Sequence, residues 1–213
     1  MRGDPPDISP AALGIVQEQM ALLKSCGLED AATEIYCGVN GGDESSAFSE
    51  ILPKTSTVVY HGLQCRNENR TIQLIEERVK KLDGEAYVCY FHAKGSQFPV
   101  GDDFRTRWRR RMNHHVIENW SKCVKALDAG AEACGIHYLT PEQYPGLVGH
   151  PYFGGNYFWA KASFLKTLPS ITESPAVKVH GMDAFEARYE SESHIGQGPR
   201  RPRIFDFHPG WPS

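Results

Sequence analysis

Two basic side chains stand two residues apart where an apolar run stops. Residues 86–95, AYVCYFHAKG, are too short for a buried helix and end abruptly in His92, Ala93, Lys94 and Gly95. The run reads as a central strand with polar groups at its carboxyl end, the end that forms the ligand crevice of an open α/β sheet. An imidazole and an ammonium placed there could both reach an anion. The plainer alternative is a satisfied core histidine followed by a solvated loop lysine. Shortly after, Arg105, Arg107, Arg109, Arg110 and Arg111 crowd one helical stretch. Most suit a solvated helix face, but one or two guanidiniums could meet phosphate bidentately. A third set is acidic: residues 182–196, MDAFEARYESESHIG, bring Glu186, Glu190 and Glu192 close to His194.

Positioning these groups calls for a regular framework. Ser9 and Pro10 suit an N-cap and a first helical position, Leu13, Val16, Met20 and Leu23 follow at helical spacing, and Gly27 closes the helix. Residues 34–40 and 57–62 are short β-rich runs ending in Asn40-Gly41-Gly42 and His61-Gly62, read as parallel strands. Ile72, Ile75, Val79 and Leu82 mark a helix that Asp83-Gly84 stops. A long helix over 103–127 carries Phe104, Trp108, Met112, Val116, Trp120 and Val124 on one i, i+4 row. Residues 132–140 read as a strand, 141–155 as a loop forming a site wall (Tyr152, Phe153), and 156–161 as a buried strand before a short helical turn. The tail from 199 is too rich in proline to be a core element, so 1–8 and 199–213 are expected to be peripheral to a single α/β domain over 1–213. The expected architecture is one mainly parallel sheet flanked by helices.

Composition narrows the partners. With 213 residues, 40% hydrophobic and 23% charged, the chain can bury a real core, and no stretch has the roughly 20 apolar residues of a membrane span. A formal charge of −3 argues against a general polyanion binder and hence against nucleic acid. Six cysteines lie singly with no C-x-x-C spacing, as small hydrophobes of a reduced compartment. MRGDPPDISP has neither a charged n-region nor an apolar h-region, so a cytoplasmic location is expected.

The order of several stretches carries a resemblance: GIVQEQMALLKSCGLEDAATEIYCGVNG, YFHAKG, W-x-x-x-M with a following ENW-x-x-C, GGNYFWAKASFLKTLP and RYESESHIG. Together they resemble a family of bacterial, algal and viral glycosyltransferase-like proteins with the forms Y-x-H-x-K-G, G-N-x-x-W-A and R-Y-x-x-E-x-W-I-G. A looser similarity runs to the rhamnan-synthesis glycosyltransferases. The resemblance implies a GT-A-like fold that moves a sugar from a nucleotide sugar, a UDP- or dTDP-sugar, to a glycan or other hydroxyl acceptor in surface-polysaccharide or glycoprotein-glycan synthesis. It places donor binding on His92, Lys94, Gly95, Asn156 and Trp159, and Arg109 joins them as one of the arginines after the central strand that could neutralise the leaving diphosphate. An inverting transfer needs a carboxylate base, for which Glu192 takes the motif's Glu and Glu190 is the alternative.

Two departures stand out. The chain opens with a helix where such folds open with a strand, and no Asp-x-Asp ends a central strand, since Asp83-Gly84-Glu85 precedes one and Gly101-Asp102-Asp103 opens a helix. No metal ligands are assigned, and a Mn or Mg ion is left open as a cofactor. There is no H-E-x-x-H either, and His114-His115 point to different sides of a helix. Two rival classes use the same residues: a carbohydrate- or nucleotide-binding module that keeps Tyr152, Phe153 and Trp159 without catalysis, and a phosphate-ester hydrolase.

Overall fold

The computed structural model describes residues 10–39, 47–61, 68–96, 103–145, 149–171 and 191–209. In chain order they form α1 (Pro10–Ser25), α2 (Leu28–Ala31), β1 (Tyr36–Val39), β2 (Thr57–Tyr60), α3 (Asn69–Lys80) and β3 (Tyr87–Tyr90). Then come α4 (Asp103–Met112), α5 (Trp120–Asp128), β4 (Ala133–Gly135), β5 (Tyr138–Leu139), β6 (Tyr152–Phe153), β7 (Phe158–Lys161), α6 (Ala162–Leu165) and β8 (Ile204–Asp206). The chain is α/β and divides into two compact units. Unit 1 comprises Met1–Arg66 and Ala93–Glu118; unit 2 comprises Asn67–His92 and Asn119–Ser213. Among the described residues no helix is long and apolar enough to cross a membrane.

In unit 1, α1 buries Ile15, Gln19 and Leu23 at four-residue spacing and ends before Gly27, whose φ of 76° only glycine adopts without strain. Strands β1 and β2 pair in parallel, as their sequences suggest. Helix α4 passes into a π-helical segment, Asn113–Glu118. A π turn accommodates one residue more than an α turn, so an i, i+4 row cannot continue through it. Met112 and Val116 of the expected row are fully buried, but so is Ile117, while Phe104 is exposed. In α5, which belongs to unit 2, burial falls on Cys123 and Leu127 rather than on Trp120 and Val124.

Unit 2 holds a four-stranded sheet of order β3-β7-β4-β8. It is mixed. Strand β7 runs antiparallel to both β3 and β4, and only β4 and β8 are parallel. The expectation of a mainly parallel sheet fails because a parallel return needs a long crossover, usually a helix, whereas the described chain between β4 and β7 forms the antiparallel pair β5–β6. Residues 141–155 are therefore not all loop. Strand β3 is an edge of this sheet, and the Trp159 strand β7 is internal. The core gathers Ile72 and Val79 of α3, Tyr90, Ala133, Phe153, Phe158, Ala160, Phe164, Leu165, Ile171 and Ile195. Five cysteines are free thiols, with Cys123 and Cys134 buried; Cys65 lies outside the described residues.

The tail is a second correction. Residues 204–206 make β8 despite the surrounding prolines, because Glu132 pins the chain just ahead of the strand. Its carboxylate takes both terminal nitrogens of Arg200, one at 2.7 Å, and the Arg203 amide at 2.9 Å, while the Glu132 amide donates to the Arg203 carbonyl at 2.7 Å. The Arg200 hydrogen bonds, opposed by burial and aided by the Arg203 amide and the two guanidinium charges, hold the Glu132 pKa at about 2. A depressed carboxyl pKa stabilises the fold above the unfolded value near 4.5, and that stability is lost as pH falls from there towards 2. Glu132→Gln is expected to lower unfolding free energy at neutral pH by about 1–2 kcal/mol, the exposed Arg200 being partly screened, and to flatten the acid slope in that window. Urea titrations across pH that leave both unchanged would remove Glu132 as the anchor of β8.

Candidate functional site

Unit 2 builds a polar cluster around one carboxylate, Glu68. This residue is the N-cap of α3, and a row at four-residue spacing leads from it through Ile72 to Glu76. Oε1 of Glu68 lies 3.1 Å from Nδ1 of His92, and Oε2 accepts from Asn156 Nδ2 at 2.6 Å and from the Tyr90 hydroxyl at 3.1 Å. His92 turns its other nitrogen, Nε2, to the Gly155 carbonyl at 2.9 Å. A carbonyl and a carboxylate only accept, so each ring nitrogen faces an acceptor. The ring is held between aromatic neighbours, stacked on Tyr90 at 6.3 Å and edge-on to Tyr157 at 5.4 Å between centroids. The Tyr157 hydroxyl in turn donates to the His92 carbonyl.

Local chain geometry makes this possible. Gly155 (φ 90°) and Asn156 (φ 58°) take successive left-handed conformations just before β7, a turn that asparagine tolerates better than other side chains. Asn156 is 1% exposed and spends its second amide proton on the Ser191 carbonyl at 3.4 Å. That contact brings in the helical residues 191–193 and with them Glu192, which is 5% exposed. Burial, above all, and then the charge and hydrogen bond of Glu68 raise the Tyr90 pKa well above the usual phenol value; Glu192 adds to the effect, which puts its carboxylate within electrostatic reach of the Tyr90 hydroxyl. Glu190 lies outside the described residues.

The segment carrying Glu192 is held a second time by Glu76. Its Oε1 lies 3.2 Å from His194 Nε2 and accepts from the Ile171 amide at 2.8 Å, and its Oε2 accepts from Ser170 at 3.0 Å. Burial alone would raise the Glu76 pKa, but the donors together outweigh it and hold it below the ordinary carboxyl value. His194, which stands where the related motif has Trp, also donates to the Pro169 carbonyl at 2.9 Å. Gly196 is needed for space, since a Cβ there would lie 1.9 Å from the Pro151 carbonyl oxygen.

Lys94, Gly95 and Arg109 belong to unit 1. Lys94 is 7% exposed, its Nζ 4.8 Å from the centre of the Trp108 ring. Gly95 (φ 93°) turns the chain so that the Lys94 carbonyl faces Arg109 Nη1 at 3.4 Å. Arg109, also 7% exposed, donates through Nη2 to Glu18 at 3.2 Å, and the other Glu18 oxygen accepts from Asn113 at 3.1 Å.

The expected residues are thus divided. His92, Asn156 and Glu192 meet in one cluster of unit 2, while Lys94, Gly95 and Arg109 form another in unit 1. Trp159 sits in the sheet interior at 5% exposure, its register partners being Cys89 and Cys134, and by strand alternation it faces away from Phe158 and Ala160. Sequence reading missed Glu68, Glu76 and Glu18. Glu68 and Glu76 are each one acidic residue among several on a polar stretch, where only the buried row through Ile72 and Glu76 sets α3's acids apart, and Glu18 is a single acid among the apolar residues of α1. Among the described residues no three His, Cys, Asp or Glu side chains gather to hold a metal ion.

Residues 4–198 match a family model described as Domain of unknown function (DUF8361). No curated protein matches the chain.

The Asn156 turn gives a direct test of the Glu68 cluster. Asn156→Gly keeps the left-handed turn and loses the hydrogen bond to the carboxylate, which predicts a loss of about 1.5–3 kcal/mol in urea unfolding. Asn156→Ala adds the steric cost of a Cβ in that conformation and should lose about 1 kcal/mol more. An alanine variant as stable as the glycine one would mean that the turn is not held as described.

Proposed function

The chain belongs to the DUF8361 family, a domain of unknown function, and we propose that it is a glycosyltransferase that moves a sugar from a nucleoside-diphosphate sugar to a hydroxyl acceptor. One observation carries the reading: three separate stretches of the glycosyltransferase resemblance converge on one cluster. YFHAKG supplies Tyr90 and His92, GGNYFWAKASFLKTLP supplies Asn156 and Tyr157, and RYESESHIG supplies Ser191 and Glu192. A structural role alone would not require residues of those three motifs to meet in one cluster, whereas a site assembled from them would. The α/β architecture is compatible with a GT-A-like fold, which belongs to the same proposal.

In this reading Glu192 is the general base. It takes the proton of the acceptor hydroxyl as that oxygen attacks the anomeric carbon, while the bond from that carbon to the diphosphate oxygen breaks and the nucleoside diphosphate leaves with the electron pair. Glu68 is unsuited to the task, because its oxygens already accept from His92, Asn156 and Tyr90. Its work is to fix Asn156, and through it the backbone ahead of Glu192. The charge that develops on the leaving group needs fixed cations or a metal ion to neutralise it. UDP- and dTDP-sugars are the donors to try first, with surface-polysaccharide or glycoprotein glycans as acceptors.

Release of nucleoside diphosphate from a panel of such sugars, with and without manganese, tests the proposal. Glu192→Gln should lower turnover about 10²- to 10⁴-fold with donor binding little changed in calorimetry. Turnover within about twofold of wild type for both Glu192→Gln and Glu190→Gln would eliminate the assignment. Binding of sugars without turnover of any would favour the non-catalytic module.

A further inference from the structure

Helix α4 turns a basic and aromatic face to solvent. Asp103, Phe104, Arg107 and Arg110 are exposed and Arg111 is partly so, while Arg109 and Met112 on the opposite side are buried. With 3.6 residues to a turn, the five outward positions fall within about 120° of the helix circumference. Arg107 stands at the centre, with Phe104 three residues before it and Arg110 and Arg111 three and four after. One face thus presents three guanidiniums and a phenyl ring along roughly 10 Å of helix.

That arrangement works against the helix itself, because like charges at i, i+3 and i, i+4 repel. Among the described residues Arg107, Arg110 and Arg111 make no ion pair or side-chain hydrogen bond, although Asp103 lies one turn before Arg107. Unit 2 offers the contrast. There Phe205 is 47% exposed near Arg200 and Arg201, but those two are spent on Glu132 and Glu142. Phe104, 41% exposed, leans instead on Trp108 at 5.8 Å between ring centroids, and the Lys94 ammonium lies 4.8 Å from the same indole. Its apolar surface is therefore set among cations that no carboxylate occupies.

We propose that this face of α4 docks on an anionic lipid bilayer, with Arg107, Arg110 and Arg111 on headgroup phosphates and Phe104 entering the boundary between headgroups and acyl chains. Guanidiniums suit phosphate, and an aromatic ring among them gains by leaving water. A nucleic acid fits less well. A helix that reads a groove needs both flanks free, whereas α4 buries its opposite side, and single-strand binders line their path with several stacking rings. A planar surface needs one face. The formal charge of −3 is no obstacle, since charges beyond a Debye length of about 8–10 Å from the membrane are screened. Each arginine contributes a factor of about five, so three give about a hundredfold and the association is weak and reversible. The inference rests on α4 alone and not on the transferase reading.

Sedimentation of the whole chain with phosphatidylcholine vesicles, with and without phosphatidylserine, tests the proposal. Binding is expected only to the vesicles containing phosphatidylserine, and high salt should abolish it. The paired change Arg107→Gln and Arg110→Gln should weaken it about twentyfold, and Phe104→Ser should weaken it further. Lys24→Gln and Lys54→Gln, which remove exposed cations elsewhere in unit 1, should bind as wild type does. Circular dichroism checks that every variant remains folded. Absence of wild-type binding to the acidic vesicles at low salt, equal binding to neutral ones, or a paired variant that binds as well as wild type would overturn the proposal. Capture of a single-stranded RNA that the paired change abolishes, without any vesicle binding, would also overturn it and give the face to nucleic acid.

Discussion

Partial burial of the Glu68 carboxylate behind three donors is the constraint on which the rest of unit 2's polar architecture depends. A carboxylate removed from water is tolerable only if its lone pairs are met, and a network with one partner missing is worse than an apolar core. His92, Asn156 and Tyr90 are therefore not independent contacts. Each has its own second attachment: His92 to Gly155, Asn156 to Ser191, and Tyr90 to Phe158 through ring packing at 5.4 Å. The carboxylate thereby ties the end of β3, the turn before β7 and the segment around Glu192 to the start of α3.

Helix α3 repeats the device two turns later with Glu76. Together the two carboxylates fix the chain around Glu192 on either side, through Asn156 to Ser191 and directly to His194. Because Glu76 also takes Ser170 and the Ile171 amide, the chain following α6 is drawn into the same arrangement. A helix whose buried face reads Ile72, Glu76, Val79 is poor at packing a purely apolar core but well suited to holding the chain at 170–171 and at 191–194 by hydrogen bonds.

What was legible in the sequence follows from which interactions are local. The helices at 10–25 and 69–80 and the strand cores at 36–39, 57–60, 87–90 and 158–161 are written in periodicity and in stop signals such as Gly27 and Asp83-Gly84, which act within a few residues. The sense of the sheet is not, because it depends on whether the chain between two strands contains a crossover. Strand β8 was hidden for a related reason: prolines on either side lower its local propensity, while its anchor, Glu132, lies 68 residues from Arg200. The π segment defeats a 3.6-residue count by construction. In the site, His92 and Asn156 were visible because a polar residue beside an apolar strand is conspicuous. Glu68 was not, since an acid in a polar stretch carries no sign that tertiary structure will bury it.

The two units treat buried polar groups differently, and the difference bears on function. Around Glu68 the acceptors and donors of the described residues match almost one for one, which favours a fixed geometry and leaves little for a ligand to gain by binding to those same atoms. Around Arg109 two buried N–H groups, Trp108 Nε1 and Arg109 Nε, meet no acceptor among the described residues. A site that must hold a reacting group in register benefits from the first kind of environment, because nothing has to move when charge develops. On physical grounds, then, the Glu68 cluster of unit 2 has the fixed polar environment that the proposed base at Glu192 would need.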